Sequence, residues 1–134
     1  MNGSHVVAEV RSWIGTPYVP QASLKGVGSD CVGLAIGVGK ELGLIDDAYA
    51  APVYLERDAE ILARELALLL DPIDTPEEGA VLVFIIGRNR HVGICTGESL
   101  VHLHGSKYGV TEIPLAEKWL SRLESCWQFR GLDG

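Results

Sequence analysis

Apolar residues in the first half of the chain recur at helical spacing. They predict an amphipathic helix over residues 6–14, a buried helix over residues 30–42 that is apolar on nearly every face, and a third helix over residues 57–70. Gly33 and Gly37 lie four residues apart in the second helix, where glycine is unfavourable. We therefore expect another element to pack closely against that face. Residues 16–29 and 43–56 are expected to form loops.

After Gly79 the period changes to that of strands. Strands are predicted over residues 80–86, 91–96, 100–104, 109–113 and 125–130, with a short helix over 114–123 and a turn-rich boundary over 71–79. Gly97-Glu98 is expected to close a hairpin. Helices first and strands afterwards predict an α+β fold, in which N-terminal helices pack on a C-terminal antiparallel sheet. Residues 1–134 are expected to form a single domain.

Composition and charge narrow the possible functions. The 134 residues are 47% hydrophobic, which is enough for a core, and the net charge is −7 from 18 acidic and 11 basic residues. Nucleic acid is not an expected partner, since no basic stripe neutralises phosphates. No basic segment precedes an apolar run, and the longest apolar run is too short to span a bilayer. We expect synthesis in the cytoplasm without a signal peptide, and no membrane insertion.

Cys31 stands out among three cysteines, an odd number with no C-x-x-C pair. It follows a glycine-rich segment and begins the predicted buried helix, with Ser29 or Asp30 as a natural N-cap. A helix N-terminus favours a thiolate over a thiol, and its N–H groups can stabilise an oxyanion. The alternative is that Cys31 is a small buried hydrophobic residue. Cys95 and Cys126 lie in strand patterns and are expected in the core.

Three of the four histidines fall in one predicted hairpin, whereas His5 lies near the terminus and is expected to be exposed. If Thr96 pairs with Ser99, then Gly93 faces His102 and His91 faces His104, and all three imidazoles share one face. One imidazole can deprotonate a thiol while a second orients the first. Zinc ligation is the alternative, but H-E-x-x-H and C-x-x-C elements are lacking, so neither a metal nor a cofactor is expected.

The motifs together resemble a known family. Residues 15–18 (Gly-Thr-Pro-Tyr), 28–34 (Gly-Ser-Asp-Cys-Val-Gly-Leu), 91–94 (His-Val-Gly-Ile) and 100–102 (Leu-Val-His) resemble, in order and spacing, the NlpC family of papain-like cysteine peptidases. Residues 18–28 are similar to its phage and gene-transfer-agent branch, as is the end of the chain with Trp119, Arg122, Leu123 and Phe129-Arg130. The resemblance covers about residues 6–131.

This resemblance implies a minimal papain-like fold and hydrolysis of peptidoglycan stem peptides, usually between D-γ-glutamate and the diamino acid. By motif match, Cys31 is the nucleophile, His91 the base and His102 the orienting third residue. His104 stays the alternative third residue, because the hairpin register places it opposite His91. Phage-tail or tail-like assembly proteins are the partners that the branch implies, with incorporation into a phage-like particle.

Two further positions match substrate-side residues of the family. Tyr18 matches a tyrosine beside the nucleophile that assists the oxyanion hole, and Asp30 matches a position that meets the substrate's amino group. Ser29 precedes it in the same motif and is included among the substrate-binding candidates. The chain departs from the family pattern at Val32, where serine is common, and at residues 78–80, where Glu-Gly-Ala replaces Pro-Gly-Asp. The departure at Val32 removes one possible hydrogen bond to the substrate. The departure at residues 78–80 concerns the structure of a turn.

Two other functions stay open from the sequence. One is a structural component of a phage-like tail with weak or no activity, with which the acidic charge is compatible. The other is a related thiol amidase or acyltransferase on the same scaffold.

Overall fold

The computed structural model describes residues 1–53, 58–103 and 105–133. Three longer helices precede most of the strands: α1 (Gly3–Arg11), α2 (Cys31–Glu41) and α3 (Ala59–Leu69). Two four-residue helices follow, α4 (Gly105–Tyr108) and α5 (Glu117–Leu120). The strands are β1 (Ser23–Leu24), β2 (Gly28–Ser29), β3 (Leu70–Ile73), β4 (Val81–Ile86), β5 (Asn89–Cys95), β6 (Ser99–Leu103), β7 (Val110–Pro114) and β8 (Leu123–Phe129).

Six of these strands form one antiparallel sheet in the order β3-β8-β4-β5-β6-β7, while β1 and β2 pair separately. The expected α+β architecture is therefore confirmed. Within the described part of the chain, no helix is long and apolar enough to cross a membrane.

The sheet buries side chains on both of its faces. On one face, α2 packs across β5 and β6, and a large apolar cluster joins side chains of the helices to Val83, Val92 and Val101 of the strands. On the other face, a smaller cluster contains Phe84, Leu82, Leu100, Trp119, Cys95 and Cys126. The two strand cysteines thus lie in the core, as expected.

The hairpin between β5 and β6 has the predicted register. The Thr96 N–H donates to the Ser99 carbonyl oxygen at 2.9 Å, and Gly93 lies opposite His102. Gly97 has φ +111°, a value that favours glycine, so this residue allows the tight connection. The register, and with it the face on which His91 and His102 lie, follows from this loop.

Other boundaries differ from the predictions. The edge strand β3 (Leu70–Ile73) replaces the last residue of the predicted third helix and the first residues of the predicted turn segment. Pro72 is tolerated there because an edge strand leaves one side of its backbone unpaired. The helix predicted from residue 6 begins at Gly3, since Asn2 and His5 form a capping box. His5 is exposed as expected. The helix predicted over 114–123 spans only Glu117–Leu120.

Candidate active site

Cys31 occupies the first position of α2, and Asp30 caps that helix. The Asp30 carboxylate accepts hydrogen bonds from the backbone N–H groups of Gly33 and Gln21, each at 2.7 Å. The Asp30 side chain therefore caps the N-terminus of α2 and also holds the preceding loop in place. Cys31 is nearly buried, in the same apolar cluster as Val92, the strand neighbour of His91.

Close packing against the glycines of α2 shapes this region, as predicted. A Cβ atom on Gly33 would collide with the Ala22 carbonyl oxygen, and one on Gly37 would collide with the Trp13 indole. The Ser23 hydroxyl donates to the Gly33 carbonyl oxygen at 2.6 Å. The loop before Cys31 is thus fixed against the helix that Cys31 begins.

Tyr18 and Ser29 lie side by side next to this helix start. Their backbones form a β-bridge, and the Ser29 N–H donates to the Pro17 carbonyl oxygen at 2.9 Å. The Ser29 side chain is fully buried and its hydroxyl donates to the Asp30 carbonyl oxygen at 2.9 Å. Tyr18, in contrast, is 36% exposed. The structure therefore brings Tyr18, Ser29, Asp30 and Cys31 to one place.

His91 and His102 form a hydrogen-bonded pair on neighbouring strands. His91 Nε2 lies 2.7 Å from His102 Nδ1, and His102 is completely buried. Both side chains share a sheet face with Phe84, which lies opposite His91. His104, the alternative third residue, lies outside the described residues. Because His91 uses Nε2 toward His102, its other nitrogen, Nδ1, is the one that can take a proton from a nucleophile.

Trp119 of α5 packs against both imidazoles. Its ring centroid lies 5.6 Å from that of His91 and 5.1 Å from that of His102, with the His102 ring nearly perpendicular at 88°. Phe84 packs on Trp119 edge-on at 5.3 Å. Sequence reasoning gave Trp119 no place in the site. A large aromatic in a short helical segment was the signal available.

Two groups of candidate residues thus emerge. Residues 18 and 29–31 cluster at the start of α2, while His91, His102 and Trp119 cluster on β5, β6 and α5. α2 packs across the two strands that carry the histidines. Among residues 1–53, 58–103 and 105–133 there is no group of three or more His, Cys, Asp or Glu side chains arranged to hold a metal ion.

Comparison with solved structures identifies the fold. The NlpC/p60 domain of the peptidoglycan hydrolase SagA superposes with a TM-score of 0.66 at 22% identity, over 96% of this chain and 99% of that one. An NlpC/P60 family protein from Bacillus cereus superposes with a TM-score of 0.70 at 20% identity, over 96% of this chain and 40% of that one. The P60 domain of an antigen from M. avium subspecies paratuberculosis superposes with a TM-score of 0.61 at 18% identity, over 94% of this chain and 92% of that one.

These similarities show that the chain has the NlpC/p60 papain-like fold, as expected from its sequence. It corresponds to a whole domain in two of the structures and to two fifths of the Bacillus protein. No protein-family model matches the chain, and no curated protein matches it either.

Proposed function

We propose that this chain is a cysteine peptidase that hydrolyses peptidoglycan stem peptides at the D-γ-glutamyl–diamino acid bond. The observation that carries the proposal is the hydrogen-bonded His91–His102 pair, in a chain whose Cys31 begins a capped helix. A thiol at a helix N-terminus and an oriented imidazole are the parts that nucleophilic acyl transfer requires. The SagA domain, a peptidoglycan hydrolase of the same fold, supports this substrate class.

In the proposed mechanism, His91 takes the Cys31 proton and the thiolate attacks the carbonyl carbon of the scissile amide. The tetrahedral oxyanion accepts hydrogen bonds from N–H groups in the first turn of α2, with Tyr18 assisting. Protonated His91 then gives its proton to the departing amine as the C–N bond breaks. Water, deprotonated by His91, hydrolyses the thioester, releases the carboxylate product and restores the thiol. His102 orients His91 throughout.

Asp30 and Ser29 support the site differently in this proposal. Ser29 is buried and bonded to backbone, so it shapes the turn before Cys31. Asp30 also has backbone partners on both carboxylate oxygens. Each oxygen has a second lone pair, through which Asp30 meets the amino group of a substrate peptide.

The decisive experiment is digestion of defined muropeptides by wild type and Cys31→Ala, with the products identified by mass. Wild type should release the dipeptide, and Cys31→Ala should release none. Cys126→Ala is the matched control, since it removes a thiol from the smaller apolar cluster. If Cys31→Ala digests as fast as the parent, the assignment is wrong.

We also propose that residues 1–134 act as one catalytic unit within a phage-like tail particle. This part rests on the sequence resemblance of residues 18–28 and of the chain's end to the phage branch. Co-purification with neighbouring tail proteins, and an activity assay on the assembled particle with and without Cys31, test it. An isolated chain that is active but never enters particles would contradict it.

A further inference from the structure

One end of the six-stranded sheet carries exposed aliphatic side chains. Ile85 and Ile86, the last two residues of β4, are 39% and 38% exposed, although the other residues of this strand are buried. Leu120, the last residue of α5, is exposed to the same extent. The Ile85 N–H donates to the Arg122 carbonyl oxygen at 2.8 Å, which joins the strand to the segment after α5. We call this end of the sheet, formed by residues 85–90 and 117–124, the hairpin tip.

The aliphatic side chains surround the hairpin tip rather than covering one side of it. Successive residues of a strand point to opposite faces, so Ile86 lies on the face of Phe84 and Ile85 on the other. Leu120 belongs to a helix on the Phe84 side, because its neighbour Trp119 packs on that ring. A flat protein surface would cover only one of these sides. A fluid interface can surround the tip on both.

Basic side chains concentrate at the same place. Four of the chain's 11 basic residues and two acidic residues lie in the hairpin tip: Arg88, Arg90, Lys118 and Arg122, with Glu117 and Glu124. Arg90 Nε donates to Glu124 Oε1 at 2.8 Å, whereas Arg122 Nη1 donates to the Lys118 carbonyl oxygen, a contact that does not neutralise its charge. The tip is therefore net positive in a chain of net charge −7.

This local charge can attract an anionic surface in spite of the negative charge of the whole chain. The Debye length is about 8 Å at physiological ionic strength, so the charges nearest to a surface decide whether it attracts or repels. Aliphatic side chains among arginines match the interface of an anionic bilayer, where lipid phosphates lie just outside the acyl chains. An acidic protein would complement the charges, but it would leave one of the two aliphatic sides in water.

We propose that the hairpin tip docks on the surface of an anionic lipid bilayer. Ile85 and Ile86 lie at the boundary of headgroups and acyl chains, and the arginines bind lipid phosphates. Docking at headgroup depth requires no membrane-spanning segment. His91 pairs with Phe84, the residue that precedes the tip, so docking holds the candidate active site next to the bilayer. The inference does not depend on the proposed reaction.

Co-sedimentation of the whole chain with lipid vesicles tests the proposal. Wild type should bind vesicles of phosphatidylglycerol and phosphatidylcholine but not vesicles of phosphatidylcholine alone, and binding should weaken as salt is added. Arg88→Gln with Arg122→Gln should weaken binding about 25-fold, since each basic side chain at an anionic surface contributes a factor of about five. Ile85→Ser with Ile86→Ser should weaken it by about tenfold or more.

Two substitutions on α3, which packs on β3, supply the matched control. Arg64→Gln removes an exposed arginine and Leu68→Ser an exposed leucine, and a protein with both should bind as wild type does. Circular dichroism checks the folding of each variant. If the isoleucine variant does not fold, Leu120→Ser removes an exposed aliphatic side chain from α5 and should weaken binding in its place.

Soluble competitors separate a bilayer from other anions. Glycerol phosphate and poly-L-glutamate, each added at the charge concentration of the lipid, should not displace the protein from anionic vesicles. Displacement by glycerol phosphate would assign the tip to a free phosphate, and displacement by poly-L-glutamate to an acidic protein, and either would overturn the proposal. So would failure of wild type to bind, equal binding to both kinds of vesicle, or binding that the arginine and aliphatic variants leave unchanged.

Discussion

His91 Nε2 and His102 Nδ1 lie 2.7 Å apart on adjacent antiparallel strands, in contact with the ring of Trp119. When His91 donates in this hydrogen bond, its Nε2 carries the proton and its Nδ1 has the lone pair. The pair therefore fixes the orientation of His91, and the tautomer that donates from Nε2 is the one that can accept a proton at Nδ1. His102 thus acts through His91 in the proposed reaction.

Replacing His102 tests this role. His102→Ala should lower kcat by about a hundredfold, since a misoriented imidazole loses much of the contribution of general base catalysis. His102→Asn should retain more activity, because its amide oxygen can accept from His91. Steady-state kinetics across pH 5–9 measure both variants, and circular dichroism checks their folding. A His102→Ala protein with wild-type kcat and pH profile would exclude the orienting role.

Trp119 is expected to support the pair by packing. Trp119→Ala should reduce the free energy of unfolding by about 3–5 kcal/mol, as for other buried aromatic truncations, and Trp119→Phe should cost less. Urea denaturation measures both, with Leu120→Ala as the control because Leu120 is 39% exposed. NMR titration of the two imidazoles supplies a readout specific to the pair. Unchanged titration of both rings in Trp119→Ala would show that the tryptophan stabilises the fold without influencing the histidines.

Local chemistry explains which parts of the fold the sequence predicts. The two-residue loop at Gly97-Glu98 sets the pairing of Gly93 with His102 by counting alone, so the histidine pair follows from the hairpin. The sequence predicts Ser29 or Asp30 as the cap of the apolar helix, and the structure shows that Asp30 is the cap. The cap of α2 depends on neighbours within a few residues along the chain, and the histidine pair depends on one turn.

The features that sequence reasoning missed depend on distant segments. Trp119 contacts residues that precede it by 17 and 28 positions, in an arrangement that no local period encodes. β3 contains Pro72, which indicates a turn until the pairing with β8 shows an edge strand. A cavity along α2 is lined in part by Tyr49, in a segment predicted only as a loop.

The cap of α2 should contribute more to stability than an ordinary helix cap. Asp30→Ala removes acceptors for both Gly33 and Gln21 from a nearly buried position. Asp58→Ala removes one cap bond, to the Ile61 N–H at 3.1 Å, from an exposed position at the start of α3. We expect a loss of about 1 kcal/mol for Asp58→Ala and about 2–4 kcal/mol for Asp30→Ala, which leaves two backbone donors unpaired. Urea unfolding compares them, and equal losses would show that the Gln21 bond contributes nothing.

The three thiols should differ sharply in reactivity. Burial raises the pKa of Cys95 and of Cys126 above the 9.0 of an unperturbed thiol. Since the thiolate is the reacting species, both should stay unmodified by iodoacetamide between pH 7 and 8, where a raised pKa leaves almost no thiolate. Cys31, at the N-terminus of α2, should take up one equivalent. Peptide mapping by mass spectrometry locates the adduct, and labelling in guanidinium, which should modify all three, is the control. Labelling of Cys95 or Cys126 at the rate of Cys31 in the native protein would contradict both the core assignment of these cysteines and the special role of Cys31.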